Sequence, residues 1–127
     1  MKLAGLDHFG LEVSDLARAE QFYTEVLGLV VVARFGDQVL LGCGGQNLAL
    51  FRVSRPSLTP AERRARIEHP LGRGHHAFRV NQEDFATAAA RLERAGVETA
   101  APIDWGDHDC RYFLDPDGNL LEIVCYR

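Results

Sequence analysis

Hydrophobic and polar residues alternate over residues 6–13, with Phe9, Leu11 and Val13 on one face and His8, Gly10 and Glu12 on the other. That is the two-residue period of a strand. From Leu16 the spacing changes to three and four residues, through Ala19, Phe22, Tyr23, Val26 and Leu27, which predicts a helix. Ser14 or Asp15 is placed to cap its start and Gly28 to end it. Three β-rich stretches follow, at 29–34, 38–43 and 47–53. The same order then recurs. An alternating run from His75 to Val80 precedes a helical pattern of Phe85, Ala88, Ala89, Leu92 and Ala95 that ends at Gly96. The β-rich stretches 97–101, 110–114 and 119–126 complete it.

The recurrence is a repeat in the sequence itself. His8-Phe-Gly-Leu-Glu-Val13 aligns with His75-His-Ala-Phe-Arg-Val80 at an offset of 67, and residues 15–28 align with 83–96 at 68. Asn47 to Phe51 aligns with Asn119 to Ile123 at 72, which pairs Leu50 with Glu122. Cys43-Gly-Gly-Gln and Asp115-Pro-Asp-Gly supply turns at matching places. Each copy reads as strand, helix and three strands. The chain is therefore expected to be α+β, two tandem βαβββ modules spanning about 1–54 and about 73–127. The linker, about 55–72, has a short helix signal in Thr59-Pro60-Ala61-Glu62, a capping box with proline in the first turn. Arg55, Arg63, Arg64, Arg66 and Arg73 cluster in it, read as a solvated helix face or else as a patch that attracts an anion.

Composition narrows the classes. The 127 residues suit one ordinary domain, and 46% apolar with 25% charged residues is a globular balance. A net charge of −4 argues against nucleic acid as a partner. The longest apolar run, Leu29 to Ala33, falls far short of the roughly twenty residues of a membrane helix. The opening MKLAGLDHFG has no apolar core of a secretion signal. Cys43, Cys110 and Cys125 form neither a disulfide framework nor a C-x-x-C pair. A cytoplasmic location is expected.

Glu122 carries the most chemical information. It shares its face of the last strand with Leu120, Val124 and Tyr126, while Leu121, Ile123 and Cys125 make the other face apolar too. A carboxylate buried in such a strand costs several kcal/mol unless its charge is compensated. His8 and His75 stand at the same position of the two copies, opposite the apolar faces of their strands. Two imidazoles and a carboxylate suit one divalent ion, Fe, Mn, Ni, Co or Zn, with open positions for substrate. The alternative makes each histidine a hydrogen-bonded core residue and pairs Glu122 with Arg79 or Arg111.

Residues 8–16, Phe22-Tyr23 before Leu27-Gly28, and Phe113-Leu-Asp-Pro-Asp-Gly-Asn-Leu-Leu-Glu122 resemble the glyoxalase, bleomycin-resistance and extradiol-dioxygenase group, the vicinal oxygen chelate superfamily. The resemblance implies paired βαβββ modules whose curved mixed sheets form a metal-binding cup, with His8, His75 and Glu122 as ligands. His75 rather than His76 matches because it stands five residues before Val80, as His8 does before Val13; His76 then faces the helix. The resemblance also implies a homodimer, and a small substrate that chelates the ion through neighbouring oxygens for lyase, transferase or ring-cleaving dioxygenase chemistry. A drug-sequestering protein of the bleomycin-resistance type is the alternative function. Leu50 stands where glyoxalases carry a fourth ligand, and Gly10 where fosfomycin-resistance transferases carry Thr. Cys110, Trp105 and Leu50 are expected to line the pocket, with Tyr112 and His108 as candidate catalytic groups.

Overall fold

A computed structural model describes residues 1–127. They fall into two compact units, Met1–Pro56 and Ser57–Arg127.

In the first unit β1 (His8–Val13) leads through the N-cap Asp15, whose carboxylate accepts the Arg18 N–H at 3.0 Å, into α1 (Leu16–Gln21). The helix widens into one π-helical turn over Phe22–Val26 and stops at Gly28, where φ is +79°. Three antiparallel strands follow, β2 (Val30–Phe35), β3 (Gln38–Cys43) and β4 (Gln46–Arg52). β4 returns to pair in parallel with β1, giving the sheet order β1-β4-β3-β2. Ala19, Phe22 and Tyr23 are buried with Leu11, Val13, Val39, Leu41, Leu48 and Leu50, forming the core of this unit.

The second unit opens with α2 (Pro60–Glu68), whose capping box is complete: Glu62 N–H donates to Thr59 Oγ1 at 3.2 Å, and Thr59 N–H to the Glu62 carboxylate at 2.7 Å. β5 (His76–Arg79), α3 (Phe85–Arg94), β6 (Ile103–Asp104), β7 (His108–Leu114) and β8 (Leu120–Tyr126) follow. The sheet order β5-β8-β7-β6, with β5 parallel to β8, is the topology of the first unit again. The fold is α+β, a strand–helix–three-strand motif used twice.

Two expectations are corrected. Residues 97–101 do not form a strand. Ala100 donates to Tyr112 and Leu114 to Glu98, with one bridge at Thr99, but Pro102 has no N–H to extend the ladder, which resumes only at Ile103. The second correction concerns register. Gly10, two residues after His8, pairs with Ala49, and Ala77, two residues after His75, pairs with Glu122. Ala49, not Leu50, is thus the counterpart of Glu122. Leu50 pairs with Leu11 on the opposite face, fully buried, and lines no pocket on the His8 side. The one-residue slip arises in the hairpins. Cys43 pairs with Gln46 across two residues, whereas Leu114 pairs with Leu120 across five. Aligning the asparagines beyond turns of unequal length exchanges the two faces of the strand.

The longer turn is held from inside and outside. Asp115 is fully buried, and its carboxylate accepts the N–H groups of Asp117 and Asn119 at 2.9 Å each and the Asn119 amide at 2.8 Å. From α2, Arg63 donates to the carbonyls of Pro116 and Asp115 and to Glu98, and Arg66 donates to the carbonyl of Gly118. Gly118, at φ +85°, lies against Leu58, where a Cβ has no room. Arg55 and Arg73 also donate to backbone carbonyls. Most of the arginine cluster therefore staples backbone instead of presenting a free anion patch. Replacing Asp115 by Ala leaves its buried donors without their acceptor, and urea unfolding followed by circular dichroism is expected to show a loss of about 2–3 kcal/mol.

Candidate metal centre

Within the second unit, Glu122 sits in an apolar row. Ala100, Cys110, Tyr112, Leu114, Leu120 and Val124 pack together on its face of the sheet, with Ile67 of α2 and Ile103 against them. Its side chain is 9% exposed, and His75 Nε2 lies 3.0 Å from Glu122 Oε2. Neither arginine proposed as its partner reaches it. Arg111 pairs with Glu93 at 2.7 Å and donates to the Ala100 carbonyl, and Arg79 lies over the Tyr126 ring.

The other nitrogen of His75 explains the geometry. Nδ1 lies 2.8 Å from the Arg73 carbonyl oxygen, which only accepts, so Nδ1 carries a proton. Nε2 then faces a carboxylate oxygen, a contact that is favourable only with a proton or a cation between the two atoms. A divalent ion fits. Imidazole nitrogen and carboxylate oxygen are both ligands that such an ion would take, and a histidine ligand ordinarily fixes its second nitrogen on a carbonyl or carboxylate.

His8 belongs to the first unit. Half of its side chain is exposed, and its Nδ1 lies 2.7 Å from the Asp7 carboxylate, which leaves Nε2 as the nitrogen able to bind an ion. The structure brings His75 and Glu122 together, and no three His, Cys, Asp or Glu side chains gather into one group. The orienting partners Asp7 and Arg73 escaped the sequence reading. Asp7, beside His8, was visible there; a backbone carbonyl leaves no mark in a sequence.

Tyr112 is the cross-strand partner of Glu122, buried, with its ring edge-on to His75 at 5.1 Å between centroids. Burial, and then the Glu122 charge, push its phenol above the ordinary range, so the hydroxyl keeps its proton at neutral pH. Cys110 is on the same face, fully buried. Burial pushes its thiol up to about 11, with Glu122 adding to the shift, while the Trp105 indole N–H, donated to Sγ at 3.3 Å, opposes it. His108 is not part of this group. It starts β7, four residues before Tyr112 and so roughly 13 Å along the strand. There it stacks on Trp105, tilts against Tyr126 and bonds to Asp107 at 2.6 Å. Trp105 is half-exposed beside it. His76 pairs with Leu121, on the face away from Glu122, and burial lowers its pKa.

The three thiols are free and differ in access: Cys43 is partly exposed, whereas Cys110 and Cys125 are buried. A thiol with its pKa near 11 has about one part in a thousand as thiolate at pH 8. Iodoacetamide at that pH is expected to modify Cys43 in the native protein and the other two only after denaturation, as peptide mass spectrometry will show.

Comparison with known proteins agrees with this architecture. The chain is 37% identical over 122 residues to the glutathione transferase FosA of Serratia marcescens, spanning 95% of this chain and 80% of that protein. It is 30% identical to the catechol-2,3-dioxygenase of Bacillus subtilis, across 92% of this chain and 40% of the longer enzyme. The crystal structure of lactoylglutathione lyase from Agrobacterium tumefaciens superimposes with a TM-score of 0.75 at 26% identity, covering 98% of this chain and 96% of that one. Residues 5–123 match the family model described as the Glyoxalase/Bleomycin resistance protein/Dioxygenase superfamily, and the chain belongs to that superfamily.

Proposed function

We propose that the chain is a divalent-metal-dependent enzyme acting on a small molecule that chelates the ion through two neighbouring oxygens. His75 and Glu122 hold the ion from one unit, and His8, supplied by the same chain or by the second copy in a homodimer, is the third ligand. The observation that carries this reading is the 3.0 Å approach of His75 Nε2 to Glu122 Oε2 while Nδ1 is committed to the Arg73 carbonyl. The family supports it, since relatives include a transferase, a dioxygenase and a lyase. The bound ion supplies a Lewis acid for negative charge developing on a substrate oxygen.

The protein's own residues do the rest. The apolar row around Glu122 keeps water from competing for the carboxylate, and the Arg73 and Asp7 acceptors hold the two imidazoles in one tautomer. Tyr112, protonated beside His75, donates a hydrogen bond to a substrate oxygen. His108 takes no part in binding the ion.

Elemental analysis after dialysis against Mn, Fe, Co, Ni or Zn is the test. The wild-type chain is expected to retain about one ion, the Glu122→Ala variant to bind at least about a hundredfold more weakly, and Tyr112→Phe and His108→Ala to load normally. Circular dichroism checks the fold of each. A folded wild-type protein that retains none of these ions overturns the proposal and favours a sequestering module. Mixing His8→Ala with Glu122→Ala protein restores loading if the ligands come from two copies, and restores none if they come from one.

A further inference from the structure

A second feature of the first unit concerns what the substrate looks like away from its chelating oxygens. The face of the sheet that carries His8 has two cross-strand rows. Gly10 pairs with Ala49 and Ala49 with Leu40; Glu12 pairs with Phe51, Phe51 with Gln38, and Gln38 with Phe35. A cavity of about 110 Å³ opens there, lined by His8, Phe35, Gln38, Leu40, Ala49 and Phe51. Apart from His8 its only polar side chain is Gln38.

The cavity has room for about one ring. A Cβ built on Gly10 would stand 2.8 Å from Phe51 Cε2, so the absence of a side chain at Gly10 is what lets the phenyl ring lie across β1, beside His8. Phe35 is 59% exposed on the same row, a large apolar surface with nothing over it. The nearby arginines are engaged, Arg55 with the Glu12 carbonyl oxygen. Arg34 is committed to Glu20 through two hydrogen bonds and Arg52 to Asp37 through two more, and the charged residue on the Phe51 row is the acidic Glu12. The volume is close to that of engineered apolar cavities of about 150 Å³ that take up benzene.

Building on the proposed metal function, we infer that the substrate carries an uncharged apolar group about the size of one aromatic ring, and that this group sits in the Phe51–Leu40–Ala49 slot beside His8. Gly10 and Phe51 then set specificity: the glycine keeps the ring of Phe51 flat, and the ring forms the wall. A phosphonate or carboxylate in this slot would meet apolar side chains and the Gln38 amide.

The slot is tested without any metal. In metal-free protein with labelled methyl groups, phenol is expected to shift the methyl signals of Leu40 and Ala49, and methylphosphonate to leave them in place. Filling the slot with Ala49→Leu is expected to abolish the phenol response, with circular dichroism confirming the fold. Phenol shifts absent from the methyls of both residues in the wild type overturn the inference, as do methylphosphonate shifts there; the wild-type result stands even if Ala49→Leu does not fold. A second arm uses Mn(II)-loaded protein, comparing benzohydroxamate with acetohydroxamate, which share one chelating group and differ in the ring. The ring is expected to tighten binding about tenfold, and equal affinities overturn the inference. Protein that retains no Mn(II) defeats the metal function instead, and the phenol result then decides the slot on its own.

Discussion

The second unit is organised around one unfavourable placement, a carboxylate in an apolar row of a strand covered on both faces. Glu122 lies among Leu120, Val124, Cys110 and Tyr112, where an uncompensated charge would cost several kcal/mol. The fold brings one imidazole to that charge, and a proton or a cation shared between the two groups compensates it. β5 pairs in parallel with β8, so the residue just before β5, His75, comes to the carboxylate, and the Arg73 carbonyl holds the imidazole in place. The same placement raises the Tyr112 phenol and the Cys110 thiol, burial acting first in each and the neighbouring negative charge adding to it.

Much of this was legible in the sequence because it follows from period and repetition. The alternation in residues 6–13 and 75–80, the helical spacing after each, and the capping box at Thr59 appear in the structure within a residue or two. The carboxylate in a two-sided apolar strand marked Glu122 as the residue needing a partner, and His75 is its neighbour. Less legible was anything set by turn length. The hairpins of two and five residues displaced the match between copies by one, placing Leu50 on the pocket side when it belongs to the core and Ala49 faces His8. A proline at 102 ended a strand that composition alone favoured. The arginines of the linker looked like a surface feature because their acceptors are backbone carbonyls, which every residue has.

The two copies of the motif have diverged in what their inner faces offer. In the second, the face carries a carboxylate, an imidazole, a phenol and a thiol inside an apolar frame. In the first, the positions matching Ala77, Glu122 and Tyr112 are Gly10, Ala49 and Leu40, and the polar side chains of the face are His8, Glu12 and Gln38. The ionisable groups thus gather on one face and the other is mainly apolar, a difference that identical halves could not show.

The unequal hairpins have a further meaning. Although one tip is three residues longer, the strand behind each tip returns to its parallel neighbour in the same register, Gly10 opposite Ala49 and Ala77 opposite Glu122. Alignment of the return strand is thus enforced by the parallel pairing and not by the length of the loop before it. The loop before the return strand can therefore differ in length between the halves without moving the residue that faces the first strand of each.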